Sequence, residues 1–355
     1  MSAPPDACGI VRPMDFAPLR AAARAAVAPD AWAFLQGTAD GRADAERDAR
    51  AWERWDLVPR IMTGLTTIDT GVELGGSRFA SPVTIAATAA HGACRSEGER
   101  LTIAAAARAG VLMTYSHNAS VPLERFAAEA TSPWWAQIYV QRDRAVTADY
   151  MARCAAAGAA AFVLTLDVPG TLADAAFRRA PLAGPVAIRG NVGPTGGGAG
   201  AGVESALTPG DVAALVRESS LPVWAKGVMD PRDAIRALDA GVAGVIVSNH
   251  GRRQLAGVVP VADVLEEIAT AVAGRAPVLV DGGVRSGADV VRAIALGASA
   301  VGIGRPVLWA LAAGGREQLE AVLQALMEEV GTALAGLGAA RVADVTRDMV
   351  RRAAG

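Results

Sequence analysis

His250 is one of three histidines in 355 residues, and it follows Val245-Ile246-Val247-Ser248-Asn249 directly. The β-branched run reads as a short buried strand, and the turn Gly251-Arg252-Arg253-Gln254 after it carries two guanidiniums. An imidazole there can take a proton near neutral pH. Arg253 can hold an anion in a two-pronged grip. Taken alone, His-Gly-Arg has a plainer reading, a solvated loop with a chance histidine. Other turns argue against that. Asp281-Gly282-Gly283-Val284-Arg285 and, about twenty residues on, Gly304-Arg305-Pro306 bring bare amides and two guanidiniums into neighbouring turns. Such turns suit a phosphate group, with glycines letting the backbone approach the anion. Lys226 ends another apolar run and adds a cation, for which a buried ion pair is the plainer reading.

Apolar runs like the one before His250 recur from Pro82 onward. The strand candidates are Val83–Ala87, Val111–Tyr115, Trp135–Val140, Phe162–Leu166, Val223–Lys226, Val245–Ser248, Val278–Val280 and Ala300–Ile303. Helix-length segments separate them, as in Val261, Val264, Leu265, Ile268 and Val272. Eight alternating units close most simply into a (β/α)8, or TIM, barrel; the rival is an open doubly wound sheet, which the absence of an early Gly-x-Gly-x-x-Gly disfavours. Polar residues stand at every strand end, so the barrel mouth is the expected site. Residues 14 to about 58 read as helical, with Phe16, Leu19 and Ala23 on one face and a second run through Trp52 and Trp55 to Leu57. This gives an N-terminal helical segment, 1–60, packed on a barrel of 61–355, one domain overall. A long loop after the fourth strand, about 170 to 206, is a lid candidate or a floppy insertion. Leu319, Val322, Leu323, Leu326 and Val330 mark a long outer helix.

The totals narrow the class. Hydrophobic residues at 52% allow a large core, and a net charge of −2 gives no pull toward nucleic acid or membrane surfaces. Cys8, Cys94 and Cys154 have unrelated spacings, so neither a disulfide framework nor a metal site is suggested. With no signal-like N-terminus and no apolar run long enough to span a bilayer, a cytoplasmic enzyme is expected.

In these motifs the chain resembles the FMN-dependent 2-hydroxy-acid oxidases and dehydrogenases, the family of glycolate oxidase, lactate oxidase and mandelate dehydrogenase. The matching stretches are Ile85–Ala89, Gln137–Val140, Leu164–Pro169, Lys226-Gly227, Ser248–Leu255, Asp281–Gly287 and Gly304–Pro306, in order over about residues 16 to 350. The resemblance implies FMN, with its phosphate on Gly283, Arg285, Gly304 and Arg305 beside Asp281 and Gly282. Ala87, Thr88, Ala89, Ser116, Gln137, Thr165 and Ser248 would line the flavin ring, and Lys226 would stabilise negative charge on it. His250 would take the substrate hydroxyl proton while flavin N5 receives hydride; removal of the α-hydrogen as a proton is the competing account. Asp167 would hold the imidazolium, Tyr139 a substrate oxygen, and Arg253 the carboxylate. The electron acceptor stays open between oxygen, a quinone and a carrier protein. A homo-oligomer, often a tetramer, is implied by resemblance.

Two positions depart from the family pattern. Phe34 stands where a tyrosine is expected, and Asp174 where a second carboxylate-binding arginine is expected. Asn118 replaces an aromatic residue and Ala256 an acidic one. Either Arg178 or Arg179 restores the clamp, or the substrate is not a simple small 2-hydroxy acid. Phe34 suits an aryl acid. An ester, a carrier-bound acid, an amine or an alcohol would fit the loss of the arginine, with oxidase or monooxygenase chemistry as the alternative activity. A flavin-binding protein with lapsed catalysis is the remaining class, against which His250 and Lys226 both argue.

Overall fold

The computed structural model describes residues 15–39, 46–168, 191 and 202–353. Eight parallel strands close a barrel in chain order: β4 (Val83–Ile85), β5 (Met113–Tyr115), β6 (Trp134–Ile138), β7 (Ala161–Thr165), β8 (Val223–Val228), β9 (Gly244–Ser248), β10 (Val278–Asp281) and β11 (Ala300–Ile303). Each predicted strand is present with ends shifted by a few residues or none, and the open sheet is excluded by the β11–β4 pairing. The strands are buried on both faces, which is why they read as continuous apolar runs rather than alternating ones.

The connecting helices start where the sequence can cap them. Thr208 and Asp211 form a capping box on α7 (Pro209–Glu218), and Ser286 and Asp289 another on α10 (Gly287–Ala295). The remaining outer helices are α4 (Gly98–Ala109), α5 (Leu123–Ala127), α6 (Arg144–Ala156), α8 (Pro231–Asp239), α9 (Leu265–Val272) and α11 (Arg305–Leu337). Val261 precedes α9 in a separate 3-10 turn, so the predicted helix begins later than its apolar spacing suggested. Leu319, Val322, Leu323, Leu326 and Val330 are all buried on α11, as their spacing requires. At the amino ends of the strands Leu74 and Phe79, from the hairpin β2 (Val72–Leu74) and β3 (Ser77–Phe79), pack with Trp135 and Trp224. That end is apolar and sealed, leaving the carboxyl end for chemistry.

The N-terminal segment holds α1 (Phe16–Ala26), α2 (Pro29–Gln36) and α3 (Arg47–Trp52). Phe16 packs against Trp309 of α11 with ring centroids 6.2 Å apart. One expectation is corrected. Trp55–Leu57 is not helical but a strand, β1, paired antiparallel with β12 (Val350–Arg352). Its partner lies almost at the other end of the chain, so no local pattern signalled it. The loop after β7 falls largely outside the described residues, and with it Asp174, Arg178 and Arg179. Where the chain is described again, Arg142 donates its amide to the Gly202 carbonyl, and Val203 packs on Tyr139 and Val168.

Candidate active site

The carboxyl ends of the strands surround a cavity that is open to solvent at its mouth. Ala87, Thr88, Ala89, Ser116, Gln137, Tyr139 and Thr165 line one side. Lys226, His250, Arg253, Asp281, Gly282, Gly283, Arg285, Gly304 and Arg305 line the other, and Phe34 reaches it from α2. Two of the predicted residues stand behind the wall instead. Asp167 sits behind His250, accepting from its Nδ1 at 3.1 Å. Ser248 is fully buried, its hydroxyl accepting from Lys226 Nζ at 2.7 Å and donating to Asp281 Oδ1 at 2.6 Å.

Each link in this arrangement has a chemical consequence. A carboxylate only accepts, so Asp167 requires the proton on His250 Nδ1 and leaves Nε2 free to accept one. Burial pushes the Asp167 carboxyl up, but His250 and then Lys226 more than offset this and hold it below the usual range. It is therefore charged when it faces the imidazole. Lys226 also meets Asp281 Oδ2 at 3.0 Å, so it is both an ion-pair partner and a cation at the cavity wall. Gln137 is held by the His117 amide and by Thr165 Oγ1, each at 3.0 Å, which fixes the direction of its amide.

Three guanidiniums crowd one end. Arg253 Nη1 donates to the Phe34 carbonyl at 2.7 Å, with its guanidinium carbon 4.8 Å from that ring's centroid. Arg305 donates to the Gly251 carbonyl at 2.8 Å and Arg285 to the Val284 carbonyl at 2.9 Å. Burial, then repulsion from Arg253 and Arg285, pushes Arg305 down to about 10, so it stays charged at neutral pH. Among the described residues, Arg285 Nε is buried without a hydrogen bond and lies 3.5 Å from Glu46 Oε2. Three guanidiniums gathered in a buried place are what a phosphate would neutralise.

Gly283 has a steric reason of its own to lack a side chain. It has φ +77°, and a Cβ there would lie 2.3 Å from the Asp48 carbonyl carbon, so α3 forbids a side chain. Asp48 accepts from Asn249 Nδ2 at 3.0 Å on both oxygens, and Trp52 Nε1 donates to the Gly282 carbonyl at 2.9 Å. The N-terminal segment thereby braces the turns that carry His250 and Gly283. His117, two residues past β5, carried no signal in the sequence; its Nδ1 accepts from the Tyr139 amide at 3.3 Å, and burial pushes it down to about 4. Leu35, Ile303 and Leu308 also line the cavity, and as plain apolar residues they carry no chemical signal in a sequence.

The residues present fit FMN: clustered guanidiniums for a phosphate, and fixed donors with a lysine for a polar ring edge. Comparison with known proteins agrees. The chain belongs to the FMN-dependent dehydrogenase family, whose model matches residues 23–352. It is 39% identical over 346 residues to a 4-hydroxymandelate oxidase of Amycolatopsis orientalis, covering 92% of this chain and 97% of that one. It is 36% identical to a peroxisomal (S)-2-hydroxyacid oxidase of Arabidopsis thaliana, covering 90% and 91%. A solved mandelate oxidase with (S)-4-hydroxymandelic acid superposes with a TM-score of 0.86 at 37% identity, covering 95% of this chain and 98% of that one. Another, carrying an FMN adduct, gives 0.84 at 38%, covering 96% and 99%. The chain is thus an FMN-dependent oxidoreductase of the 2-hydroxy-acid oxidase type, and the alternative of an ester, amine or alcohol substrate is not favoured.

Proposed function

We propose that the chain oxidises an aryl 2-hydroxy acid of the mandelate kind to its 2-oxo acid, with oxygen as final acceptor. The observation that carries the reading is the His250–Asp167 pair, 3.1 Å apart, at the wall of a cavity that Arg253 also lines. His250 Nε2 takes the proton of the substrate hydroxyl, and Asp167 stabilises the imidazolium that results. Arg253, steadied by the Phe34 carbonyl, holds the substrate carboxylate. Tyr139 keeps its phenolic proton, because burial and then Asp167 push its ionisation well up, and so it donates a hydrogen bond to a substrate oxygen. FMN, when bound, supplies the acceptor for the α-hydrogen and its electron pair. Lys226 adds a fixed positive charge at that wall, where negative charge develops.

Phe34, Leu35 and Leu308 support an aryl group, as does kinship with a 4-hydroxymandelate oxidase. The oxidase names of the relatives support oxygen. The same reading treats 1–60 as a segment of one domain with the barrel of 61–355, supported by the β1–β12 pairing and the α3 contacts. It places the protein in the cytoplasm as a homo-oligomer. No described helix is long and apolar enough to cross a membrane, and the exposed Ile61 and Met62 support a contact between copies. The test is oxygen uptake with mandelate, 4-hydroxymandelate, lactate and glycolate. The aryl acids should give kcat/KM at least tenfold above the other two; a preference for glycolate would sink the aryl reading.

A further inference from the structure

His91 lies outside the catalytic pair and plays no part in the chemistry above. It is buried, and Thr102 Oγ1 lies 2.8 Å from its Nδ1, while Thr88 Oγ1 lies 2.7 Å from its Nε2. The Thr102 hydroxyl also stands 2.8 Å from the Gly98 carbonyl oxygen. A carbonyl has no proton to give, so this 2.8 Å contact between two oxygens is favourable only with the Thr102 proton between them. Thr102 can then only accept from His91, which puts the ring proton on Nδ1. Nε2 is left as a bare acceptor, and the Thr88 hydroxyl proton goes to it.

We propose that His91 is a positioning residue for the cofactor: it commits the Thr88 proton to the protein interior, so that the Thr88 hydroxyl can offer the cavity only an acceptor. The proposal rests on the reading of the cavity as the FMN site, whose wall Thr88 forms. The surroundings keep the ring in place and neutral. Glu99 accepts the amides of His91, Ser120 and Val121 at 3.0, 2.8 and 3.2 Å, pinning the backbone on both sides of the site. Gly98 leaves room for His91, since a Cβ there would lie 2.4 Å from its carbonyl. Burial drives the imidazole toward its neutral form, more strongly than Glu99 and the Thr88 backbone draw it toward the charged one.

The test is an FMN titration of the flavin-stripped full chain, followed by quenching of flavin fluorescence. His91→Leu frees the Thr88 hydroxyl and should weaken FMN binding about tenfold. His91→Gln can donate to Thr102 and accept from Thr88, and should restore binding to within about twofold of wild type. In a Thr88→Val background, His91→Leu should cause no further loss. An undiminished loss in that background, or a Gln variant as weak as the Leu variant, would overturn the proposal. A second readout needs no variant: long-range nitrogen–proton spectra of the wild-type histidines should show one ring buried as the Nδ1–H tautomer with Thr102 and Thr88 contacts. An Nε2–H tautomer there would also overturn it. Failure of wild type to bind FMN would instead fail the functional reading, and the tautomer would still be measurable.

Discussion

Replacing Asp167 by Asn keeps the shape of the catalytic pair and removes its charge. At 3.1 Å and an effective dielectric of ~20, a carboxylate and an imidazolium attract by about 5 kcal/mol. Both side chains are partly exposed, at 15% and 19%, and an amide oxygen can still accept from Nδ1, so part of this survives. A loss of about 3–4 kcal/mol in the stabilisation of the protonated base is expected, or roughly a hundred- to a thousandfold in rate. The assay is the anaerobic rate of flavin reduction by mandelate at saturation, with FMN content and unfolding midpoint measured alongside. The loss should fall on this rate while FMN content stays unchanged. A variant that keeps its rate within about fivefold would refute the assignment of Asp167 as the partner of His250. Equal loss of rate and FMN would show that Asp167 supports the fold rather than the base.

Lys226→Met should cost about 3–5 kcal/mol in urea unfolding, because Asp281 is left buried without its cation; adding Asp281→Asn should recover most of the stability and none of the activity. Gly283→Ala should destabilise by more than about 2 kcal/mol, from its φ of +77° and the 2.3 Å approach to Asp48, whereas Gly304→Ala, whose added Cβ meets Thr88 Cγ2 at 3.3 Å, should cost under about 1 kcal/mol. Unfolding midpoints separate the two. His117 gives a pH dependence. With its folded pKa near 4 against 6.5 unfolded, the unfolded chain binds the extra proton between these values. His117 therefore lowers stability as pH falls through that window, by about 3 kcal/mol in full. His117→Gln should flatten that part of the stability–pH curve, and an unchanged slope would count against a buried neutral His117.

The barrel and most of its mouth were legible because each strand is a buried apolar run ending in polar or glycine residues. His250, Arg253, Lys226 and the two glycine-arginine turns carry their chemistry in their residue types. What escaped depends on contacts distant in sequence. Asp48 and Trp52 brace turns some two hundred residues away, through Asn249 and the Gly282 carbonyl, and look like ordinary helix residues. Trp55–Leu57 looked like the end of a helix because a three-residue strand has no period of its own. The close approach of α3 to Gly283 also has no signal in the sequence. The Ser248 hydroxyl was expected at the cavity and instead bridges Lys226 and Asp281 behind it. Lys226 shows how close two readings can be, since it is an ion-pair partner and a cavity cation at once.

The most direct test of the central claim is anaerobic mixing of the purified protein with mandelate while the flavin absorbance band is followed. One equivalent of substrate should bleach the band of bound FMN and yield one equivalent of the 2-oxo acid. A band that stays oxidised with mandelate, 4-hydroxymandelate, lactate and glycolate, yet bleaches with dithionite, would contradict the account of His250, Asp167 and Arg253 as a hydroxy-acid site.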